Sequence, residues 1–207
     1  DESRLRTIEV KNHKLTVLDT YEDSVKNILN ELPKEHFCVF HISCYSPRNI
    51  RGSTNNISMH AYAAAIDLNP KQNPYIDAVN NTIIPPPDRN NCSENEDFYI
   101  NRGIVRIGMI TPKIVDIFAE NGFTIWGGNW GRPIDYMHFQ TTKAIAAIVS
   151  TLPSYQAKIF WNYYLKNPRL IAKDKFFAAS YVDQKEIVLD KLLSRISSIL
   201  KRKDEIQ

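Results

Sequence analysis

The chain lacks the features of membrane proteins and of disulfide-stabilised domains. None of its apolar runs approaches the ~20 residues that span a bilayer, so we expect no transmembrane segment. Its cysteines, an odd number, show no C-x-x-C spacing, which argues against a thiolate metal site or a disulfide scaffold. We expect Cys38 and Cys44 to be buried free thiols.

A strong excess of charge of either sign is also missing. The 26 basic and 23 acidic side chains leave a net charge of +3, which is too small and too dispersed to indicate nucleic-acid binding. Such a charge mildly favours a polyanionic surface such as a cell wall. The chain begins at Asp1 rather than Met, which is compatible with removal of a leader peptide and with export.

The first third of the chain carries patterns of both strands and helices. Alternating polar and apolar residues at 8–17 predict a strand or hairpin, and the apolar spacing at 25–32 predicts a helix that ends at Pro33. The short apolar run at 37–43 is typical of a buried strand. Residues 57–69 again favour a strand, after a polar loop.

The rest of the chain is richer in helices. Residues 71–101 are polar and dense in Pro and Asn, which predicts a long loop. Residues 111–121 predict a helix, because Pro112 stands in its first turn and Gly122 follows its end. Further helices are predicted at 144–152, 156–165 and 189–200, and we expect the last to pack on the domain through its apolar stripe.

Two clusters carry residues suited to a metal site, one at 58–67 and one at 135–139. A catalytic zinc site uses three nitrogen or oxygen ligands, and His60, Asp67 and His138 could supply them. Asp135 then remains as a carboxylate that could accept and return a proton. On residue types alone, a histidine in an apolar context is more often structural, so that alternative stays open at this point.

Spacing adds a geometric expectation for these clusters. His60 and Asp67 are separated by an odd number of positions, so a regular strand would point them to opposite faces. We therefore expect His60 in a loop at the start of a strand and Asp67 inside that strand. The same argument for Asp135 and His138 predicts a turn at Asp135, before a strand at 136–140.

The two clusters resemble motifs of one enzyme family. S-M-H-A-Y-A-A-A-I-D resembles S-x-H-x-x-G-x-A-x-D, and D-Y-M-H resembles [D/E]-x-x-H, of the zinc D-alanyl-D-alanine carboxypeptidases. That family includes VanY-like carboxypeptidases, vancomycin-resistance dipeptidases and L-alanyl-D-glutamate endopeptidases. Three tracts are similar to the endopeptidase-like branch: A-I-D-L-N, W-G-G-N-W and D-Y-M-H-F-Q. Aspartate rather than glutamate at position 135 also fits that branch.

The resemblance implies a role for each matching residue. His60, Asp67 and His138 correspond to ligands of Zn2+, Asp135 to the catalytic acid/base, and Arg48, in preference to Arg51, to an arginine that binds the substrate carbonyl or carboxylate. We expect three further residues on the substrate side of the site: Ser58, Trp126 and Tyr136. Ser58 resembles a hydrogen-bond partner of a ligand more than a nucleophile.

One position departs from the family motif. Ala63 stands where the family usually has glycine, and alanine argues against an unusual backbone conformation there.

The resemblance also implies a fold, a substrate and a location. We expect an α+β fold with a small antiparallel sheet and flanking helices, like hedgehog and D-Ala-D-Ala peptidases, with a peptidase domain at 1–150 and a helical extension at 151–207. The expected substrate is a peptidoglycan stem peptide rather than nucleic acid, and the expected location is periplasmic or secreted. The alternative is a catalytically inactive module that binds cell-wall peptide or recruits a partner.

Overall fold

The computed structural model describes residues 2–77, 79, 81–86, 102–103 and 105–167. These residues form an α+β fold, as predicted. The strands are β1 (Leu5–Val10), β2 (His13–Leu18), β3 (Ile42–Ser43), β4 (Ala65–Leu68), β5 (Tyr75–Ile76), β6 (Ile83–Ile84), β7 (Ile125–Trp126), β8 (Ile134–Asp135) and β9 (His138–Gln140). The helices are α1 (Glu22–Glu31), α2 (Pro112–Glu120), α3 (Lys143–Thr151) and α4 (Ser154–Leu165). The predicted helix at 189–200 and Cys92 lie outside the described residues.

A four-stranded antiparallel sheet in the order β3-β4-β9-β7 lies at the centre of the molecule. Its register places Asp67 of β4 directly opposite His138 of β9. The opposite face of β9 is apolar, since Phe139 is fully buried and stacks on Phe118 of α2 with ring centroids 3.8 Å apart. The sheet therefore has a core on one side and holds polar residues on the other.

A second, three-stranded sheet in the order β6-β5-β8 corrects the prediction for residues 71–101. This segment was expected to be a loop, yet its described part contains β5 and β6. Both strands are two residues long, and β5 pairs with β8, far along the chain. A pairing of that length and sequence separation leaves no periodic signal in the sequence.

The strand predicted at residues 37–43 is wrong except for β3. The side chain of Asn69 occupies the backbone groups that a neighbouring strand would use: its Oδ1 accepts from the amides of Phe40 (2.7 Å) and His41 (3.0 Å), and its Nδ2 donates to the carbonyl of Cys38 (2.7 Å). Cys38 is consequently exposed rather than buried, whereas Cys44 is buried as expected.

The predicted hairpin and helices are confirmed among the described residues. β1 and β2 pair along their full length. Helix α2 begins at Pro112 and ends before Gly122, whose φ of +89° suits only glycine without strain. Helix α4 belongs to the same core, because Trp161 is buried and its indole N–H donates to Ser24 Oγ of α1 at 2.9 Å. None of the described helices has the length and apolarity to cross a membrane.

Candidate metal centre

His60 enters the site from a short 3-10 helix, Met59–Tyr62, just before β4. Ser58 caps this helix, because its Oγ accepts the amide of His60 at 3.3 Å. Ala63 then turns the chain into β4 with a left-handed backbone, φ +50°. The expectation that alanine excludes an unusual conformation here was wrong: the turn requires it, and alanine tolerates it at a cost of about 1–2 kcal/mol.

Asp67 and His138 face each other across β4 and β9, and His60 completes a compact group of three donor atoms. His60 Nε2 lies 3.2 Å from His138 Nδ1, and each nitrogen lies 3.1 Å from Asp67 Oδ1. Zinc binds such atoms at about 2.0–2.2 Å in tetrahedral geometry, which separates its ligands by roughly 3.3–3.6 Å. Only a slight expansion of the group is needed, so these residues fit a zinc ion with one position left open.

The remaining ring nitrogens determine which atoms face the centre. His60 Nδ1 lies 2.7 Å from the carbonyl oxygen of Cys44, which can only accept, so this nitrogen carries the proton. His138 Nε2 likewise lies 2.9 Å from Gln140 Oε1. Each ring therefore turns its other nitrogen toward the centre, where it can donate to Asp67 when it is protonated or bind a metal when it is not.

The charges of the group stabilise an anionic Asp67. Burial alone would raise the pKa of Asp67, but hydrogen bonds from His138 and His60 outweigh burial and hold the pKa well below its ordinary value. Burial likewise lowers the pKa of His138, yet its hydrogen bond to Asp67 and the charges of Asp67 and Asp135 raise it overall. Asp67 is thus ionised and the site attracts a cation, either a proton or a metal ion.

The turn predicted at Asp135 lies at residues 136–137 instead: Asp135 ends β8, and the strand predicted at 136–140 begins only at His138. Gly127 lies against the backbone of Asp135, and a Cβ at Gly127 would come within 2.5 Å of the Asp135 carbonyl oxygen. Asp135 Oδ1 is buried and has no hydrogen-bond partner among the described residues. Burial, helped by the charge of Asp67, raises the pKa of Asp135 to about 6, which suits a group that exchanges protons near neutral pH.

The other predicted site residues lie around this centre. Arg48 is half-exposed, and its Nη2 lies 4.0 Å from Asp67 Oδ2. Trp126 and Tyr136 are tilted against each other with centroids 6.0 Å apart, and the Trp126 indole N–H donates to the Tyr136 carbonyl at 2.8 Å. Ser58 is buried beneath His60. The roles of these four residues toward substrate stay predictions.

Two residues near the centre, Gln140 and Arg102, escaped the sequence interpretation. Gln140 follows His138 by two positions, and the alternation of strand side chains could have identified it as a neighbour on the same face. Arg102 had no such signal: its guanidinium lies 4.4 Å over the Tyr136 ring and donates to Asn73 Oδ1 (3.2 Å) and the Ile110 carbonyl (2.9 Å). Arg102 thus packs against Tyr136, in the turn between Asp135 and His138.

A buried His-Asp-His group with an adjacent carboxylate is the arrangement of a mononuclear metal centre in a hydrolase. Residues 51–141 match the family described as D-alanyl-D-alanine carboxypeptidase. The matched segment contains the three candidate ligands and Asp135, and the peptidases of that family are zinc-dependent. No curated protein and no solved structure matches the chain.

Proposed function

We propose that this protein is a zinc peptidase that hydrolyses peptidoglycan stem peptides in the periplasm or outside the cell. The observation that carries the proposal is the group of three donor atoms, each 3.1–3.2 Å from the others, on His60, Asp67 and His138. The family match supports a peptide substrate. In this proposal residues 1–150 form the peptidase domain and residues 151–207 a helical extension.

Each side chain has a definite task in amide hydrolysis. His60, Asp67 and His138 would hold a zinc ion, which would supply Lewis-acid chemistry toward the scissile carbonyl and water. Asp135 accepts a proton from the attacking water and returns it to the departing amine as the C–N bond breaks. Arg48, beside Asp67, offers its guanidinium to the carbonyl oxygen as negative charge develops there.

The bond that is cut is either L-Ala-D-Glu or D-Ala-D-Ala. The endopeptidase-like tract D-Y-M-H-F-Q at residues 135–140 favours L-Ala-D-Glu. Mass spectrometry of the fragments released from purified peptidoglycan distinguishes the two, since endopeptidase action frees the stem from L-Ala whereas carboxypeptidase action removes a single D-Ala.

The test of the function combines metal content with digestion. Purified protein should contain about one zinc per chain, cleave peptidoglycan peptides, and lose cleavage on treatment with a chelator. Asp135→Ala should retain zinc and lose cleavage. Asp23→Ala, in the exposed first turn of α1, is the matched control and should behave as wild type.

Two outcomes would contradict the proposal in different ways. Wild-type protein that binds zinc and stem peptide without cleaving it would be the inactive binding module. Undiminished cleavage by Asp135→Ala would overturn the role of that residue while leaving the metal centre in place.

A further inference from the structure

The carboxylate of Asp135 is positioned through its backbone rather than through a hydrogen bond at its buried oxygen. Oδ1 has no hydrogen-bond partner among the described residues. The backbone of Asp135 pairs with Tyr75 of β5 and lies against Gly127. The next residue, Tyr136, lies in the turn that leads to His138, so the position of this turn also affects where the carboxylate points.

Four contacts hold Tyr136 in this turn. Its amide donates to the Pro74 carbonyl at 3.2 Å, and its carbonyl accepts the Trp126 indole N–H at 2.8 Å. Its ring contacts the Trp126 ring, and the guanidinium carbon of Arg102 lies 4.4 Å from the centroid of the Tyr136 ring. Of these four contacts, only the one with Arg102 involves a charged side chain, and a cation over an aromatic ring attracts that ring electrostatically.

The guanidinium of Arg102 also makes three hydrogen bonds. Its Nη2 donates to Asn73 Oδ1 at 3.2 Å and to the Ile110 carbonyl at 2.9 Å, and its Nη1 donates to the Gln72 carbonyl at 3.3 Å. Burial lowers the pKa of Arg102 to about 10, so the guanidinium remains a cation at neutral pH. Because the guanidinium is planar, these bonds fix its orientation against the Tyr136 ring.

Asn73 connects Arg102 to the strand that carries Asp67. Asn73 is fully buried, and its Nδ2 donates to the carbonyl of Leu68, the last residue of β4, at 3.3 Å. Asp67 precedes Leu68 in that strand. Arg102 therefore links the strand that bears a candidate metal ligand to the turn that follows Asp135.

The position of Asp135 matters because a proton is transferred over a hydrogen bond, with about 2.6–3.2 Å between the heavy atoms. A shift of about 1 Å in a reacting group can lower the rate about 100-fold. The contacts of Arg102 given above involve none of the three candidate metal ligands. The loss of Arg102 should therefore affect proton transfer and leave the metal centre intact.

We propose that Arg102 is a positioning residue for Asp135. By holding the Tyr136 ring, Arg102 fixes the turn at 136–137 and with it the direction of the Asp135 carboxylate toward the attacking water and the departing amine. The inference rests on the proposed peptidase function. In this role Arg102 neither binds substrate nor exchanges a proton, so its loss lowers kcat rather than raising KM.

The experiment measures steady-state cleavage of a stem peptide by zinc-loaded Arg102→Leu. Its kcat should fall about 10- to 100-fold, because Asp135 is no longer held in line with the reacting atoms, whereas KM should stay within about twofold of wild type. Zinc affinity should also stay within about twofold of wild type, since Arg102 orients no ligand ring. Competition with a chromophoric chelator measures the zinc affinity.

Three single variants accompany this measurement. Arg102→Lys should recover part of kcat, because it keeps a cation for the ring while losing the planar fork. Arg6→Leu makes the same substitution as Arg102→Leu at an exposed position of β1 and should leave kcat and KM unchanged. If melting curves show that Arg102→Leu does not fold, Arg102→Gln replaces it. Arg102→Gln keeps an N–H donor for Asn73 but removes the cation, so it should lower kcat in the same way.

A double variant distinguishes the positioning of Asp135 from a general loss of structure. In Asp135→Asn the acid/base is already absent, so adding Arg102→Leu should lower kcat by less than about twofold more. A merely structural role of Arg102 would lower kcat by the full factor of about 10 to 100 in this background as well.

The outcomes separate this inference from the proposed function. If wild type cleaves no stem peptide, the peptidase function fails and the inference fails with it. If wild type cleaves the peptide but Arg102→Leu keeps its kcat, raises only KM or loses zinc, the function stands and the positioning role is wrong. The positioning role is equally wrong if the substitutions at Arg102 and Asp135 lower kcat independently.

Discussion

His60 Nε2 and His138 Nδ1 face each other across 3.2 Å, since the other nitrogen of each ring donates its N–H to an oxygen, at Cys44 and Gln140 respectively. Asp67 places a negative charge 3.1 Å from both nitrogens, and when neither nitrogen carries a proton their lone pairs repel each other and this charge. A positive species between them removes this repulsion. The folded centre is therefore built to be completed by a cation.

Zinc should raise the melting temperature of the metal-free protein. A ligand that binds only the folded state at 100 times its Kd stabilises it by about 2.7 kcal/mol. His138→Ala should abolish this response, whereas His13→Ala, at the start of β2, should retain it. Differential scanning calorimetry with and without zinc measures the effect, and identical melting curves for wild type would contradict a metal centre.

Gln140→Leu should weaken zinc binding, because His138 loses the acceptor that orients its ring and selects its tautomer. The loss of such a partner lowers metal affinity about 10- to 100-fold. Gln140→Glu supplies an acceptor again, so its zinc affinity should exceed that of Gln140→Leu by about tenfold or more. Competition with a chromophoric chelator measures both; equal affinities for wild type and Gln140→Leu would exclude this role.

Activity should fall on the acidic side as Asp135 becomes protonated. Its pKa is raised to about 6, chiefly by burial, and a bound cation lowers it from there, so the acidic limb of kcat/KM lies at or below about pH 6. Protonated Asp135 is neutral and far too weak a base to accept a further proton from water. Asp135→Asn should lower kcat/KM about 10²- to 10⁴-fold and abolish that limb. If the acidic limb of kcat/KM persists in Asp135→Asn, the titration of another group causes it.

Ala63→Gly should change stability little. Glycine relieves the left-handed strain of about 1–2 kcal/mol, but it loses a buried methyl worth about 0.8 kcal/mol and adds backbone entropy of roughly 0.5–1 kcal/mol to the unfolded chain. Ala63→Val should instead cost at least ~2 kcal/mol, because a β-branched residue is excluded from this conformation. Urea unfolding measures both changes. A valine variant as stable as wild type would show that the turn is not left-handed.

A buried ion pair joins the N-terminal hairpin to the last described helices. Arg4 Nη2 lies 3.1 Å from Asp19 Oδ1, and Arg4 Nη1 donates to the carbonyls of Val149 (2.8 Å) and Leu152 (3.0 Å). Removing one partner leaves the other charge buried and unpaired. Asp19→Ala should therefore cost about 3–5 kcal/mol at pH 7.

The same pair gives a pH test. Burial opposes ionisation of Asp19, but hydrogen bonds from Ser154 and Arg4 outweigh it and lower its pKa. A carboxyl with a lowered folded pKa contributes stability above its unfolded pKa of about 4, and this stability is lost as the pH falls through the folded value. The difference between wild type and Asp19→Ala in urea should shrink in acid. A difference that stays unchanged as the pH falls well below about 4 would show that the ion pair does not cause it.

The elements that the sequence predicted correctly carry their signals locally. Helix α2 shows its apolar stripe, its proline and its terminal glycine within one short segment. The strand expected at 37–43 failed because a side chain from elsewhere, that of Asn69, occupies its backbone groups. β5 and β6 were missed because each is only two residues long and because β5, which pairs with β6, also pairs with distant β8.

The sequence alone determines the types and the order of the residues able to hold a metal. These are two imidazoles and a carboxylate, within motifs that resemble a known family. The tertiary structure alone decides that His60 uses Nε2 and His138 uses Nδ1. The physical reason is that the selecting contacts, the Cys44 carbonyl and the Gln140 amide, act only after β4 and β9 have paired in register. The placement of Arg102 over the Tyr136 ring likewise exists only in the folded chain.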